Sequence, residues 1–253
     1  EELQAQIDKT LEYEQFLMPD PSFLNKVVLI AGMDSEFGQV HGNGQINYET
    51  SYYFNSEHSI DTLTYLYPES GSYADEIKQN ISDGVAFVNY TAHGSSNGWL
   101  NPSFKITDIS ELENDGKYPL LIGNACSTGE FQNYECFGEA LLRAENKGAI
   151  GYIGATGVTH WDPDFYWSVG LGEISEHPTY EATGLGMYDR AFHDNAEVYS
   201  DWFISQGQMI FGGNLAVSQS GIYDEYYWEV YNLLGDPSLS IYFSNPEPLT
   251  AFY

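Results

Sequence analysis

Four short apolar runs divide the first two thirds of the chain. They are KVVLIAGMD (26–34), GVAFVNYTAHG (84–94), YPLLIGNAC (118–126) and GAIGYIGATG (148–157). Each run is continuously apolar and ends in glycine or polar residues, which is typical of strands buried on both faces of a parallel sheet. Further strands are predicted for DTLTYLYP (61–68) and SLSIYF (238–243). The pattern therefore predicts a mostly parallel central sheet.

Helical patterns occupy the segments between these runs. They cover YADEIKQNIS (73–82), ITDISELEND (106–115), FGEALLRAENKG (137–148), and, beyond residue 160, the stretches 196–217 and 224–235. Gly148 is predicted to end the third of them, because glycine is favoured just past a helix C-terminus. Strands that alternate with helices predict an α/β fold with helices on both faces of the sheet.

The charge composition narrows the classes of partner. The 253 residues include 8 Lys or Arg and 37 Asp or Glu, a formal net charge of −29. A nucleic-acid binder is nearly excluded, because affinity for phosphate comes from clustered cations. Hydrophobic residues make up 42% of the chain and aromatic residues 16%, enough for a core, whereas acidic disordered chains are poor in aromatics. No apolar run approaches the roughly 20 residues that span a bilayer. The composition predicts a folded, acidic, soluble protein.

The ends of the apolar runs carry the candidate chemistry. Asp34 ends the first run, His93 and Gly94 the second, Cys126 the third, and the loop TGVTHWDPD (156–164) follows the fourth. Ligands of open parallel sheets bind at the carboxyl ends of the strands. A cysteine attacks a carbonyl as its thiolate and needs an imidazole nearby, and one strand–helix–strand step separates His93 from Cys126. A buried inert thiol and a histidine satisfied by its neighbours remain the alternatives.

The blocks around these residues resemble the caspase-like cysteine peptidases and, among them, the gingipain family. FVNYTAHGSS and LLIGNACSTGEF carry the His-Gly and Ala-Cys pairs, and LNKVVLIAGMD, CFGEA (136–140), KGAIGYIGATG, HWDPDFYWSVG and YNLLGDPSL (231–239) also resemble gingipain sequences. The resemblance runs from about residue 20 to 243. It implies a caspase-like α/β fold with Cys126 as nucleophile and His93 as general acid and base. It also implies that Asp34 orients the imidazole and that the N–H groups of Gly94 and Cys126 form an oxyanion hole.

The resemblance extends to the pocket for the residue before the cleaved bond, the P1 residue. In the lysine-cleaving gingipains an Asp, an Asn and a Thr hold the substrate ammonium, and the matching residues here are Asp164, Asn124 and Thr91. Trp161 would lie along the aliphatic stem of the substrate side chain. The resemblance therefore implies an S1 pocket for Lys in preference to Arg. The alternative is that Asp164 only caps a helix beginning near Phe165.

The resemblance is less direct for the P1 preference, for the role of Cys136 and for metal binding. His160 stands where the lysine-cleaving type has Tyr, which leaves the P1 preference open, and Cys136 is predicted to pack at a helix start. The histidines outside this region show no metal-ligand spacing. Gingipains bind calcium, and the abundant carboxylates would permit a structural calcium ion, but no loop has a recognisable calcium spacing. No cofactor is expected for the chemistry itself.

The resemblance predicts a catalytic subdomain over residues 1–243, with 244–253 as a linker or the start of an immunoglobulin-like segment, and implies a subdomain before it. The predicted function is a secreted or cell-surface endopeptidase of bacteria or archaea that cleaves proteins or peptides after a basic residue through an acyl-enzyme. Two alternatives stay open. If an amine instead of water attacks the acyl-enzyme, the protein is a sortase-like transpeptidase or processing enzyme of a secretion system. If the protein has no catalytic activity, it is a surface binding module.

Overall fold

The computed structural model describes residues 2–132 and 134–246, which form one central sheet with helices on both faces. The strands are β1 (Lys26–Ala31), β2 (Asp61–Tyr65), β3 (Phe87–Thr91), β4 (Gly94–Ser95), β5 (Gly98–Trp99), β6 (Phe104–Lys105), β7 (Leu120–Asn124), β8 (Gly151–Ala155) and β9 (Tyr231–Gly235). The helices are α1 (Glu2–Glu14), α2 (Asn43–Tyr52), α3 (Ala74–Asp83), α4 (Ile106–Ile109), α5 (Phe137–Arg143), α6 (Trp161–Val169), α7 (Met187–Phe192), α8 (Gln206–Ser220) and α9 (Asp224–Val230).

The central sheet has the strand order β2-β1-β3-β7-β8-β9. Its first five strands are parallel and only β9 runs antiparallel, beside β8. The four predicted apolar runs form β1, β3, β7 and β8, which are the inner strands. The short strands β4, β5 and β6 form a separate antiparallel sheet directly after β3.

The inner strands are mostly apolar because both faces of the sheet are covered. Within β1, Val27 and Leu29 belong to one core cluster and Val28 and Ile30 to the other, and all four are fully buried. The first cluster includes residues of α2, α6 and α8, and the second includes residues of α3 and α5. A strand covered on both sides has no solvent face and so no polar alternation. The predicted α/β architecture is confirmed.

The C-terminal elements differ from the prediction. The segment 224–235 was expected to be one helix, but α9 ends at Val230 and the remaining residues form β9. Tyr231 pairs with Ala155 and Leu234 with Tyr152, so tertiary pairing selects the strand for a sequence whose apolar spacing suits either structure. The described residues include no strand at 238–243, where one was expected. That segment contains only an isolated bridge, between Ser240 and Ser205.

Three further predicted helices are shorter than expected, and three helices were not predicted. The helix expected over 137–148 ends at Arg143, so the prediction that Gly148 ends it is wrong. The helix expected over 196–217 begins at Gln206, because the Ser205 hydroxyl caps it by accepting from the N–H of Gln208. The helix expected over 106–115 ends at Ile109. Helices α1, α2 and α7 were not predicted. The buried Lys9 of α1 donates to three carbonyl groups around the C-terminus of α5, which fixes α1 to the body.

Residues 247–253, most of the segment predicted as a linker or immunoglobulin-like start, lie outside the described residues. Residues 244–246 belong to no helix or strand. Within the described ranges, no helix has both the length and the apolar character needed to cross a bilayer.

Candidate active site

The register of the sheet brings the predicted catalytic residues to one edge. Ala31, Thr91 and Asn124 end three neighbouring parallel strands and lie in one row across the sheet. His93 lies two residues after Thr91, and Cys126 lies two residues after Asn124. Asp34 lies three residues after Ala31, whose strand is on the side of β3 opposite β7. Carboxylate, imidazole and thiol therefore leave adjacent strand ends.

His93 and Asp34 form a direct pair. The Nε2 atom of His93 lies 2.7 Å from Oδ2 of Asp34. The other oxygen of Asp34 accepts hydrogen bonds of 2.8 Å from the N–H groups of Glu36 and Phe37. Partial burial works against the charged form, but these hydrogen bonds and His93 outweigh it, so the pKa of Asp34 lies below its usual value. The carboxylate is thus held charged and in a fixed orientation beside the imidazole.

Cys126 presents a partly buried, unoxidised thiol. Its sulfur accepts a hydrogen bond of 3.3 Å from the N–H of Thr159, in the loop after β8. Ser127 follows with a φ of 56° and donates its N–H to the carbonyl of Gly157 at 2.8 Å. Few non-glycine residues adopt this left-handed conformation, and such backbone clusters at functional sites. The turn holds the thiol at the strand end.

The second thiol has a different environment. Cys136 is fully buried at the start of α5, as predicted from its position at a helix start. Burial raises the pKa of Cys136 to about 11, although the backbone N–H groups of Glu139 and Gly138 oppose the rise. A thiol that stays protonated in the core is a poor nucleophile. Of the two cysteines, only Cys126 follows the end of a strand that pairs with the strand before His93.

Gly94 lies against the backbone of the turn that contains Cys126. A Cβ atom at this position would be 2.8 Å from the carbonyl oxygen of Cys126 and 2.7 Å from the methyl group of Thr128. Only glycine allows the two strand ends to approach this closely. No backbone carbonyl among the described residues accepts from the Cys126 N–H. The turn therefore offers a free donor beside the thiol, next to the Gly94 backbone.

Trp161 forms an aromatic wall beside the imidazole. Its ring stacks on Phe37 with centroids 5.6 Å apart and meets the ring of His93 edge to face at 5.8 Å. Phe37 also donates its N–H to Asp34, so one segment holds both the carboxylate and the wall. The indole is half-buried, which leaves part of its surface at the site.

The three other predicted pocket residues lie together in a buried polar network. Thr91 and Asn124 are fully buried, and both hydrogen bond to Gln45 of α2. Asn124 also donates to the backbone carbonyl of Asp164 at 3.0 Å. The Tyr231 hydroxyl donates to the side-chain oxygen of Asn124 and, at 3.2 Å, to the Asp164 carboxylate. Asn124 of β7 and Tyr231 of β9 thus contact Asp164 directly, whereas Gln45 and Thr91 are linked to it through Asn124.

Asp164 is a buried carboxylate in the first turn of α6. That helix begins at Trp161 with His160 as its N-cap, so the alternative that Asp164 caps a helix near Phe165 is wrong. Burial raises the pKa of Asp164 to about 7, against the hydroxyl groups of Tyr227, Thr159 and Tyr231 that hydrogen bond to it. Within residues 2–132 and 134–246, no Lys, Arg or His forms an ion pair with this carboxylate. The site therefore contains a buried acid without a cation of its own.

Four residues of this site were not found from the sequence: Gln45, Thr159, Tyr227 and Tyr231. Gln45 lies on α2, which shows no strong amphipathic pattern, and Tyr231 was placed in a predicted helix. No local signal marks any of them, because each reaches the site only through the packing of distant elements.

No calcium ligands emerge from the described residues. Among them, no group of three or more His, Cys, Asp or Glu side chains lies close enough together to hold a metal ion. No step of the chemistry considered below involves a metal.

Comparison with known proteins identifies relatives over nearly the whole chain. The model of peptidase family C25 matches residues 1–242. The chain is 40% identical to Lys-gingipain of Porphyromonas gingivalis over 262 residues, which cover 99% of this chain and 14% of that protein. It is 29% identical to gingipain R2 of the same organism over 186 residues, 70% of this chain and 25% of that one. The chain thus spans about a seventh of the length of the Lys-gingipain it matches.

Solved structures show the same fold. A protease structure superposes with a TM-score of 0.88 at 38% identity, covering 97% of this chain and 54% of the other. A crystal structure of the Arg-specific cysteine proteinase gingipain R superposes with a TM-score of 0.74 at 23% identity, covering 94% and 52%. The described strand ends therefore belong to a fold that proteases share.

Proposed function

The chain belongs to peptidase family C25, and we propose that it is a cysteine endopeptidase that cleaves proteins and peptides after Lys in preference to Arg. The observation that carries the P1 preference is Asp164, a buried carboxylate without a cationic partner among the residues that the structure describes. The family, the strand-end placement of Cys126 and His93, and the His93–Asp34 pair support the chemistry.

In the proposed reaction the thiolate of Cys126 attacks the scissile carbonyl carbon. The N–H groups of Cys126 and Gly94 stabilise the developing oxyanion. His93 gives a proton to the leaving amine, and the C–N bond breaks to leave a thioester. His93 then takes a proton from water, which attacks the thioester, releases the acid product and regenerates the Cys126 thiolate beside the protonated imidazole. Asp34 keeps the imidazole oriented and stabilises its charged form.

The environment of Asp164 supports an ammonium as the P1 group. A buried carboxylate is unfavourable unless a cation or several hydrogen bonds compensate its charge. Here three hydroxyl groups compensate only in part, since the pKa remains raised to about 7. An ammonium group entering from the site would supply the missing positive charge. Lys offers a compact ammonium with three donors, whereas the planar guanidinium of Arg needs a matching fork of acceptors.

We also propose that the protein acts outside the cell or at its surface, next to neighbouring domains of the same chain. The net charge of −29 suits solubility in salty surroundings. The much greater length of the relatives supports the presence of further domains, before or after this one.

Two variants test the proposal with fluorogenic peptides that carry Lys or its uncharged isostere norleucine at P1. Cys126→Ala should abolish cleavage of both peptides, since it removes the attacking atom. Asp164→Asn should lower kcat/KM for the Lys peptide by about a hundredfold, the equivalent of about 3 kcal/mol for an unpaired buried charge, and spare the norleucine peptide. Asp162→Asn, in the same helical turn but half exposed, is the matched control.

The outcomes separate the parts of the proposal. Cleavage by Cys126→Ala would remove the nucleophile assignment. An unchanged ratio of Lys to norleucine cleavage in Asp164→Asn would remove the S1 assignment but not the peptidase chemistry. Amide products in the presence of a nucleophilic amine would instead favour transpeptidation.

A further inference from the structure

Gln45 forms hydrogen bonds to residues at two neighbouring strand ends of the active site. It lies on α2, and its side chain is fully buried against the ends of β3 and β7. Its Nε2 atom donates to the hydroxyl oxygen of Thr91 at 2.9 Å, and its Oε1 atom accepts from the side-chain amide of Asn124 at 2.8 Å. Thr91 lies two residues before His93, and Asn124 two residues before Cys126. One amide group therefore bridges the strands that carry the imidazole and the thiol.

The orientation of the Gln45 amide is fixed by its surroundings. Its oxygen accepts a second hydrogen bond, of 2.9 Å, from the hydroxyl of Ser168 in α6. Its nitrogen also lies 3.4 Å from the backbone carbonyl of His41, which can only accept. Reversing the amide would place the NH2 group against the Asn124 and Ser168 donors and the oxygen against a carbonyl. The carbonyl end of Gln45 is therefore held toward Asn124.

The Gln45 oxygen and the backbone carbonyl of Asp164, which accept from the Asn124 NH2 group at 2.8 and 3.0 Å, together set the orientation of Asn124. Because the Gln45 oxygen accepts from its NH2 group, the Asn124 carbonyl oxygen must point the other way. There it accepts from the Tyr231 hydroxyl, which also donates to the Asp164 carboxylate at 3.2 Å. If the Asn124 amide were flipped, its NH2 group would instead point toward the Tyr231 hydroxyl and the Asp164 carboxylate. An NH2 group would repel a substrate ammonium, whereas the carbonyl oxygen can accept from it.

We propose that Gln45 is a positioning residue that sets the P1 specificity by holding the acceptor of Asn124 toward the pocket around Asp164. The inference rests on the proposed S1 pocket. Gln45 is buried beneath that pocket and acts only through Thr91 and Asn124. Its removal should therefore weaken discrimination for a cationic P1 group more than it weakens the acyl transfer itself.

Glu49 provides a matched control on the same helix. It lies one turn after Gln45, is also fully buried, and accepts a hydrogen bond of 2.6 Å from Asn89 of β3. Its contacts lie inside the core, away from the strand ends that carry Cys126 and His93. Replacing either residue with Met removes a buried polar group of similar size from α2. Only the Gln45 change removes a contact to Asn124.

The experiment compares Gln45→Met, Glu49→Met and Asp164→Asn by the ratio of kcat/KM for the Lys peptide to kcat/KM for the norleucine peptide. Gln45→Met should lower this ratio about tenfold, the size expected when a polar site loses a correctly oriented acceptor. It should leave kcat/KM for the norleucine peptide within about threefold. Glu49→Met should lower the melting temperature by a similar amount and keep the wild-type ratio.

An unchanged ratio in Gln45→Met, alongside a lowered ratio in Asp164→Asn, would overturn the inference and leave the S1 pocket intact. Equal losses on both peptides would also overturn it, since a general structural role predicts them. A ratio that Asp164→Asn does not change would refute the S1 pocket and this inference together. If Gln45→Met does not fold, Ser168→Ala decides, because it removes one of the two donors that hold the Gln45 carbonyl. That variant should lower the ratio about threefold, and an unchanged ratio overturns the inference.

Discussion

His93 turns its Nε2 atom, and not its Nδ1 atom, toward Asp34, with 2.7 Å between Nε2 and the carboxylate oxygen Oδ2. The other carboxylate oxygen is occupied by the N–H groups of Glu36 and Phe37. A charged carboxylate accepts the Nε2 proton, which leaves Nδ1 as the nitrogen that can exchange a proton with substrate. The Asp34 carboxylate thus selects the tautomer of the imidazole.

Asp34→Asn should slow turnover while preserving the fold. Since Oδ1 must remain an acceptor for two backbone N–H groups, the new NH2 group takes the place of Oδ2 and donates to Nε2. The imidazole then carries its proton on Nδ1, the wrong tautomer for taking a proton there. We expect kcat to fall by about a hundredfold. Steady-state kinetics and circular dichroism measure the two effects.

The control for that variant is Asp194→Asn, which alters another His–Asp pair, with His58, away from the strand ends. It should keep kcat within about twofold. Wild-type turnover in Asp34→Asn would show that Asp34 does not orient the imidazole.

The two thiols should differ in reactivity with iodoacetamide in the native protein. Cys126 is partly exposed, whereas Cys136 is fully buried and its pKa is raised to about 11. Because the thiolate is the reacting form, only Cys126 should be modified at neutral pH. Mass spectrometry of the digested protein identifies the modified residue. In Cys126→Ser, modification should appear only after denaturation, and rapid native labelling of Cys136 would contradict the assignment of roles.

The preference for Lys over norleucine at P1 should increase with pH. The pKa of Asp164 is raised to about 7 in the free protein, and only its charged form attracts an ammonium. Below pH 7 the charged fraction falls, so the kcat/KM ratio of the two peptides should rise about tenfold or more between pH 5.5 and 8. Taking the ratio cancels any pH dependence that is common to the cleavage of both peptides. In Asp164→Asn the ratio should be flat, and a flat ratio in the wild type would show that Asp164 does not face the P1 side chain.

Asp189 should make the folded state more stable at acidic than at neutral pH. Its carboxylate is buried, which raises its pKa to about 6, although the hydroxyl groups of Tyr48 and Tyr53 oppose the rise. In the unfolded chain the Asp189 carboxyl has an ordinary pKa near 4. Between about pH 4 and pH 6 the folded state therefore binds more protons than the unfolded state, and its free energy of unfolding falls as the pH rises through this interval. Between pH 4.5 and 7 the loss is about 2 kcal/mol.

Unfolding in guanidinium chloride at both pH values tests this expectation. Asp189→Asn should lose about 2 kcal/mol less than the wild type over that interval, whatever its stability at either end. Asp61→Asn, which changes an exposed carboxylate at the start of β2, should keep the wild-type pH dependence. A parallel pH dependence in wild type and Asp189→Asn would show that Asp189 does not carry this linkage.

The sequence by itself determined the inner sheet. Residues 26–31, 87–91, 120–124 and 151–155 are mostly apolar, and a short run of that kind, bounded by turn residues, is typical of a strand covered on both faces. Once four such strands are parallel, their carboxyl ends share one edge, so the neighbourhood of Asp34, His93 and Cys126 follows from chain order alone. Local composition is sufficient here because a continuous apolar run of this length is stable only when both faces of the strand are covered.

Only the tertiary structure decided the floor of the pocket and the C-terminal edge of the sheet. Tyr231 is equally suited to the end of a helix and to a strand, and pairing with β8 places its hydroxyl between Asn124 and Asp164. Gln45 reaches Thr91 and Asn124 across 46 and 79 residues of sequence. Hydrogen bonds between side chains so far apart in sequence depend on how the helices pack over the sheet. Local hydrophobic periodicity does not determine that packing.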